Sequence, residues 1–155
     1  MAYGRNLCLP AMAAAIAAAI VVLTASGAED TVYTGNASCK ICHNKKDTGE
    51  QWIKWKAGPH AKAFETLRGE EAGEIVRAKN IEKPAAEAPE CLRCHVTGVD
   101  TATGKAPKKI NPVHGVQCES CHGPAALHFS EARKQMSGDK NAKPEQSIVR
   151  PNVDT

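Results

Sequence analysis

The chain has 155 residues, of which 42% are hydrophobic and 24% charged, and its formal net charge at pH 7 is +3. This length predicts a single domain. The small positive balance does not indicate nucleic-acid binding, and no motif of that kind is present. Many apolar residues lie between positions 7 and 23, so the rest of the chain is too poor in apolar side chains to build a large core by itself.

The first 28 residues have the pattern of a secretory signal peptide. Arg5 gives a charged start, an almost unbroken apolar run covers positions 7–23, and small residues follow at 25–28. The pattern predicts cleavage around Gly27 or Ala28, export to the periplasm or the extracellular space, and no stable membrane span after cleavage. A retained membrane anchor is the alternative, because the run is near the lower length limit for a bilayer span. Cys8 lies at the start of the apolar run, which excludes a lipoprotein signal.

Beyond the leader, the sequence predicts short α-helices separated by long loops, with no sheet. Pro59 near the start and Gly69 at the end bound one of these helices, as these residues commonly do. In chain order, the predicted segments are a helix over 49–57 capped by Asp47 or Thr48, a helix over 58–69, a polar helix over 70–80, a proline-rich connector over 81–90, an exposed loop or loose hairpin over 97–112, a helix over 125–136 and a polar, flexible tail over 137–155.

Six cysteines remain outside the leader, and all of them form C-x-x-C pairs: Cys39, Cys42, Cys91, Cys94, Cys118 and Cys121. Each pair is followed at once by a histidine: His43, His95 or His122. Disulfides suit an exported protein and zinc suits C-x-x-C spacing, but neither explains a histidine after every pair. C-x-x-C-H is the attachment motif of c-type haem, with thioether bonds at the cysteines and the histidine on the iron. The sequence therefore predicts three covalently bound haem c groups.

Three further histidines lie outside the motifs: His60, His114 and His128. Three irons with one motif histidine each have three second axial positions, so the two numbers match. An iron bound by two histidines suits electron transfer, because no position is open for a substrate. The alternative for each of these residues is a solvated surface imidazole. Outside the leader the chain has Met136 as its one methionine, so methionine could serve one site at most.

The stretch "VQCESCHGPAALHF", residues 116–129, contains both His122 and His128. Six residues of helix rise by about 9 Å, so the two imidazoles cannot bind one iron from opposite faces. His128 is therefore expected to reach a different haem, which places two haems close together. We expect a small multihaem cytochrome c fold over residues 29–136 in which the haems form the core.

The order of motifs "CKICH", "HAKAFETL", "CLRCHVTG" and "GVQCESCHGP" followed by a histidine resembles the cytochrome c-554 family over about residues 38–128. The resemblance implies a mostly helical fold around closely packed haems. It also implies that His60 and His128 are distal ligands, with His128 serving the haem on Cys39 and Cys42. Proteins of this family accept electrons from hydroxylamine oxidoreductase. They carry a fourth haem, whereas this sequence has three motifs, and their second haem is five-coordinate, whereas His114 could close it here.

The expected function is electron relay between redox partner proteins, through closely packed haems with two histidine ligands each, rather than catalysis. One alternative is a haem enzyme in which the haem of Cys91 and Cys94 stays five-coordinate and acts on a small nitrogen or oxygen species. The other alternative is a homo-oligomer or polymeric haem filament. Replacing His114 separates the first two hypotheses, because a low-spin iron would become high-spin if His114 were its ligand.

Overall fold

The computed structural model describes residues 32–149, so the predicted signal peptide lies outside the described residues. This part of the chain consists of short α-helices, 3₁₀ turns and long loops, without a β-strand, which confirms the predicted fold class. None of the helices described is long and apolar enough to cross a membrane. The α-helices are α1 (Asn36–His43), α2 (Gln51–Ala57), α3 (Ala63–Thr66), α4 (Glu70–Ala78), α5 (Pro89–His95), α6 (Glu119–His122) and α7 (Ala126–Met136). The 3₁₀ turns are Lys46–Thr48, Pro59–Lys62, Pro112–His114 and Pro144–Gln146.

The buried apolar side chains form a cluster in the middle of the chain. They come from α3, α4, α5 and the adjoining loops: Phe64, Leu67, Ala72, Val76, Ala85, Leu92, Val96 and Ile110. By contrast, α1, α6 and α7 bury no apolar side chain of their own. The first and third C-x-x-C-H motifs and His128 lie on or next to these helices, so the three helices lack the buried apolar residues that normally hold helices together.

The segment just before the third motif is hydrogen-bonded to three other parts of the fold. The Val116 amide donates to the His60 carbonyl at 2.9 Å, and the Trp55 indole donates to the Val116 carbonyl at 2.8 Å. The Gln117 amide donates to the buried Thr97 hydroxyl oxygen at 2.6 Å. Because Thr97 follows the second motif by two residues, these bonds fix the third motif relative to the second motif and to α2.

Gly115 lies at this crossing in a conformation that favours glycine, with φ 63° and ψ −136°. A Cβ at this position would lie 2.5 Å from the His60 carbonyl oxygen and 3.1 Å from the Ala63 amide nitrogen. Both are backbone atoms, which cannot move away by a side-chain rotation. Glycine is therefore needed for the close approach of the two segments as well as for its backbone angles.

We expect Gly115→Ala to lower the free energy of unfolding by about 2–3 kcal/mol, because positive φ and a backbone clash combine. Gly138→Ala is the matched control, since Gly138 has φ +94° but nothing within 4 Å of its Cβ position. Gly138→Ala should lower the free energy of unfolding by about 1 kcal/mol. Thermal or denaturant unfolding of both variants measures the difference, and equal losses would show that the close approach is unimportant.

Two local helix predictions were wrong in detail. Thr48 does not cap α2, because its hydroxyl donates to the carbonyls of Cys42 and Lys45 within a tight turn. The cap position is Glu50, which has a left-handed backbone with φ 54°. The predicted helix over 58–69 is divided into a 3₁₀ turn and α3, because the His60 carbonyl accepts the amides of Ala63 and Val116.

Candidate haem-binding sites

The first and third motifs line the same cavity, which has a volume of about 670 Å³. This volume is within the range of about 300–1,000 Å³ that is usual for cofactor and ligand pockets. Met136 also lines it, with its sulfur 3.7 Å from that of Cys42. The chemically functional side chains around the cavity are Cys39, Cys42, His43, Cys118, His122 and His128.

His43 on α1 and His128 on α7 are opposed within this cavity. Their ring centroids are 6.2 Å apart and their ring planes are inclined by 23°. Bonds of about 2 Å from each imidazole nitrogen to a shared metal ion, plus half a ring on either side, give a centroid separation of roughly 6 Å. The observed centroid separation matches this distance. The two residues are 85 positions apart in the chain, so this pairing depends on tertiary structure.

Cys39 and Cys118, the first cysteines of the first and third motifs, are close neighbours. The neighbouring Cys118 thiol, together with burial, raises the pKa of Cys39, and the neighbouring Cys39 thiol lowers the pKa of Cys118. All six motif cysteines in the described chain are free of disulfide bonds. The first cysteines of these two motifs therefore lie side by side, although they come from opposite ends of the domain.

Four of the histidines share a hydrogen-bonding pattern that is typical of metal ligands. Nδ1 of His95 lies 2.6 Å from the Ala63 carbonyl oxygen, and Nδ1 of His114 lies 3.0 Å from the side-chain oxygen of Asn36. Nδ1 of His122 lies 2.9 Å from the Val149 carbonyl oxygen, and Nδ1 of His128 lies 2.8 Å from that of Pro144. A carbonyl oxygen can only accept, so Nδ1 carries the proton and the lone pair is on Nε2. Metal-bound histidines almost always donate their other ring N–H in this way.

The second motif lines a separate cavity of about 1,300 Å³ between α4 and α5. Cys91, Cys94 and His95 lie along one part of its wall, and apolar side chains of α4 such as Ile75 lie along another. Among the described residues that line this cavity, His95 is the one histidine. The structure does not bring His60, His114 or His128 to this cavity.

His60 and His114 are instead near each other, in two 3₁₀ turns that are in contact. Both residues are exposed. Their turns adjoin the segment leading to Cys118, since His60 accepts the Val116 amide through its carbonyl. The two turns therefore lie between the segments next to the second and third motifs, and neither histidine lines either cavity.

Glu119, inside the third motif, is a site residue that the sequence analysis missed. Its side chain is 2% exposed and lines the first cavity. One carboxylate oxygen accepts the amides of Thr34 and Ala125 at 2.9 and 2.8 Å, and the other accepts the Gly35 amide at 2.7 Å. Glu119 thereby joins the third motif to the segments that lead into α1 and α7. A carboxylate with three amide donors is strongly bound in place.

Comparison with known proteins found one matching family model and one curated relative. A family model described as cytochrome c554 and c-prime matches residues 38–123. Cytochrome c-554 of Nitrosomonas europaea is 33% identical over 124 residues, which cover 77% of this chain and 51% of that protein. The chain thus spans about half the length of this curated relative. No solved structure matches the chain significantly.

Proposed function

Because the chain belongs to the cytochrome c554 and c-prime family, whose members are c-type cytochromes with covalently bound haem c, we propose that it is an exported triheme cytochrome that relays electrons between redox partner proteins. A bound haem supplies one-electron redox chemistry. Export rests on the leader pattern in residues 1–28 and on the attachment of c-type haem outside the cytoplasm. The donor and acceptor are redox proteins.

In this proposal the six motif cysteines form the thioether bonds, and His43, His95 and His122 bind the irons on the proximal side. His128 binds the first haem opposite His43, as their 6.2 Å centroid separation suggests. His60 or His114 binds the third haem opposite His122, since both lie next to the segment before Cys118. The Nδ1–H bonds of the histidines orient these rings.

The observation that carries the relay is the juxtaposition of Cys39 and Cys118 in one cavity. Thioether bonds at adjacent sulfurs hold the first and third porphyrins next to each other. Electron exchange between them then needs no motion of the protein. The hydrogen bonds around Val116 and Thr97 fix the second motif relative to this pair.

The proposal is tested by the intact mass and the electron paramagnetic resonance spectrum of the protein produced in a host that attaches haem c. We expect three added macrocycles per chain and low-spin ferric signals from the first and third haems. A variant with Cys118→Ala and Cys121→Ala should lose one macrocycle and is the control for the count. A mass with fewer than three macrocycles in the unmodified chain would contradict the triheme assignment.

A second candidate function, binding or reduction of a small nitrogen or oxygen species at the second haem, is favoured by one observation. The cavity of Cys91 and Cys94 has no histidine opposite His95 among its described lining residues. An iron with one open axial position can bind a small ligand, whereas an iron with two histidines cannot do so readily.

Carbon monoxide titration of the fully reduced protein separates the two candidates. One molecule bound per chain would favour the second candidate, because the second haem would then have an open axial position, whereas no binding would favour the relay. The variant His114→Ala should leave the binding at the second haem unchanged, since His114 lies outside that cavity. If the unmodified protein binds none and His114→Ala binds one, His114 closes a haem and the relay with three bis-histidine irons is correct.

A further inference from the structure

The C-terminal segment 139–149, which we call the C-terminal strap, packs against α7. The sequence predicted a flexible tail from residue 137, and residues 137–149 are described in the structure. Ala142 and Pro144 of the strap are buried. The Lys143 amide donates to the Glu131 carboxylate at 3.0 Å, which fastens the strap to the middle of α7.

The strap supplies the hydrogen-bond acceptors for two of the histidines at the first cavity. The Pro144 carbonyl accepts from His128 Nδ1 at 2.8 Å, and the Val149 carbonyl accepts from His122 Nδ1 at 2.9 Å. The Val149 amide also donates to the His122 carbonyl at 3.1 Å, so Val149 is hydrogen-bonded to His122 at two points. A short segment without a motif thus reaches histidines of two different haem sites.

We propose that the C-terminal strap is a positioning element that sets the ring orientation and the basicity of His122 and His128 as haem ligands. This inference rests on the ligand assignment in the proposed function. A carbonyl acceptor on Nδ1–H fixes the tautomer with its lone pair on Nε2 and makes that nitrogen a stronger donor. A stronger donor stabilises ferric over ferrous iron. Loss of a strap contact therefore raises the reduction potential of the haem concerned.

Truncation can separate the two contacts. A stop after Arg150 keeps both carbonyls and is the control. A stop after Ser147 removes the Val149 carbonyl but keeps that of Pro144, and a stop after Lys143 removes both. Because the shorter chains also lack Ile148, which lines the first cavity, the full-length variant Ile148→Ala controls for the loss of that side chain.

The measurements are potentiometric titration and electron paramagnetic resonance of the haem-loaded proteins. We expect the stop after Ser147 to change the low-spin signal of one haem and to shift its ferric-to-ferrous equilibrium about tenfold, a rise of about 59 mV. The stop after Lys143 should change two haems. Unchanged signals and potentials in both truncated proteins would overturn the inference, as would equal changes in Ile148→Ala.

A measurement on the intact protein covers the case in which the truncated chains fail to fold. With ¹⁵N-labelled histidine, the Nδ1 protons of His122 and His128 should exchange slowly with solvent, and rapid exchange at both overturns the inference. The variants His122→Ala and His128→Ala test the ligand assignment separately. If they become high-spin while the truncations have no effect, the proposed function stands and the strap does not position the ligands.

Discussion

Replacing Glu119 with alanine is expected to lower the free energy of unfolding by about 3–5 kcal/mol. The carboxylate accepts three backbone amides, those of Thr34, Gly35 and Ala125. Removing it leaves these donors without an acceptor in a region where Gly35 and Ala125 are buried, and each such donor costs about 1–3 kcal/mol. In a chain of this size the loss corresponds to a decrease of roughly 10 °C in Tm. Circular dichroism of the haem-loaded protein during heating measures it.

Glu90→Ala is the matched control for this prediction. Glu90 is also adjacent to a motif cysteine, but it is exposed. Its replacement should change the unfolding free energy by about 0.5 kcal/mol or less. The unfolding free energy of Glu119→Gln should lie between those of Glu119→Ala and Glu90→Ala. The glutamine keeps one acceptor oxygen but brings an NH₂ group against an amide donor. Equal stability of Glu119→Ala and Glu90→Ala would refute the role given to Glu119.

Replacing His128 with alanine is expected to convert the first haem from low-spin to high-spin and to raise carbon monoxide binding by one molecule per chain. The reason is the opposition of His43 and His128, which makes His128 the distal ligand of the first haem in the proposed function. Electron paramagnetic resonance of the oxidised protein and carbon monoxide titration of the reduced protein measure these changes. The expected change in spin state is complete, because it results from loss of an axial ligand.

Met136 provides the control for this second prediction. It lines the same cavity near Cys42, and a thioether can also serve as an axial ligand. Met136→Leu should leave the spin state of the unmodified protein unchanged. If the His128→Ala variant stays low-spin and becomes high-spin only when Met136→Leu is added, methionine replaces the lost histidine. If His128→Ala alone has no effect and the double variant has none, His128 is not a ligand.

The haem motifs could be predicted from the sequence because each proposed site lies within five consecutive residues. The helical class was also predictable, since proline and glycine mark the ends of short periodic segments. The pairing of His128 with the haem next to His43 could be predicted only from the family resemblance. No local rule relates two residues that are 85 positions apart, and the structure places them together by packing α7 near α1.

Glu119 and the strap carbonyls could not have been found from the sequence. Glu90 and Glu119 each adjoin a motif cysteine, and nothing local distinguishes the exposed one from the buried one. The burial of Glu119 depends on amides from the segments before α1 and α7, which are distant in the chain. The carbonyls of Pro144 and Val149 are backbone groups that every residue possesses, so their role as acceptors has no signature in the side chains.

The hydrogen bonds at Val116 and Thr97 have a consequence for how the protein responds to heating and to substitution. They link the segments next to the second and third motifs to each other and to α2, and such bonds weaken steeply when their geometry is distorted. Small losses in the apolar cluster around Phe64 should therefore lower the melting temperature while leaving the spacing of the redox centres intact. Rates of internal electron exchange should then stay nearly constant up to the onset of melting and decline abruptly there.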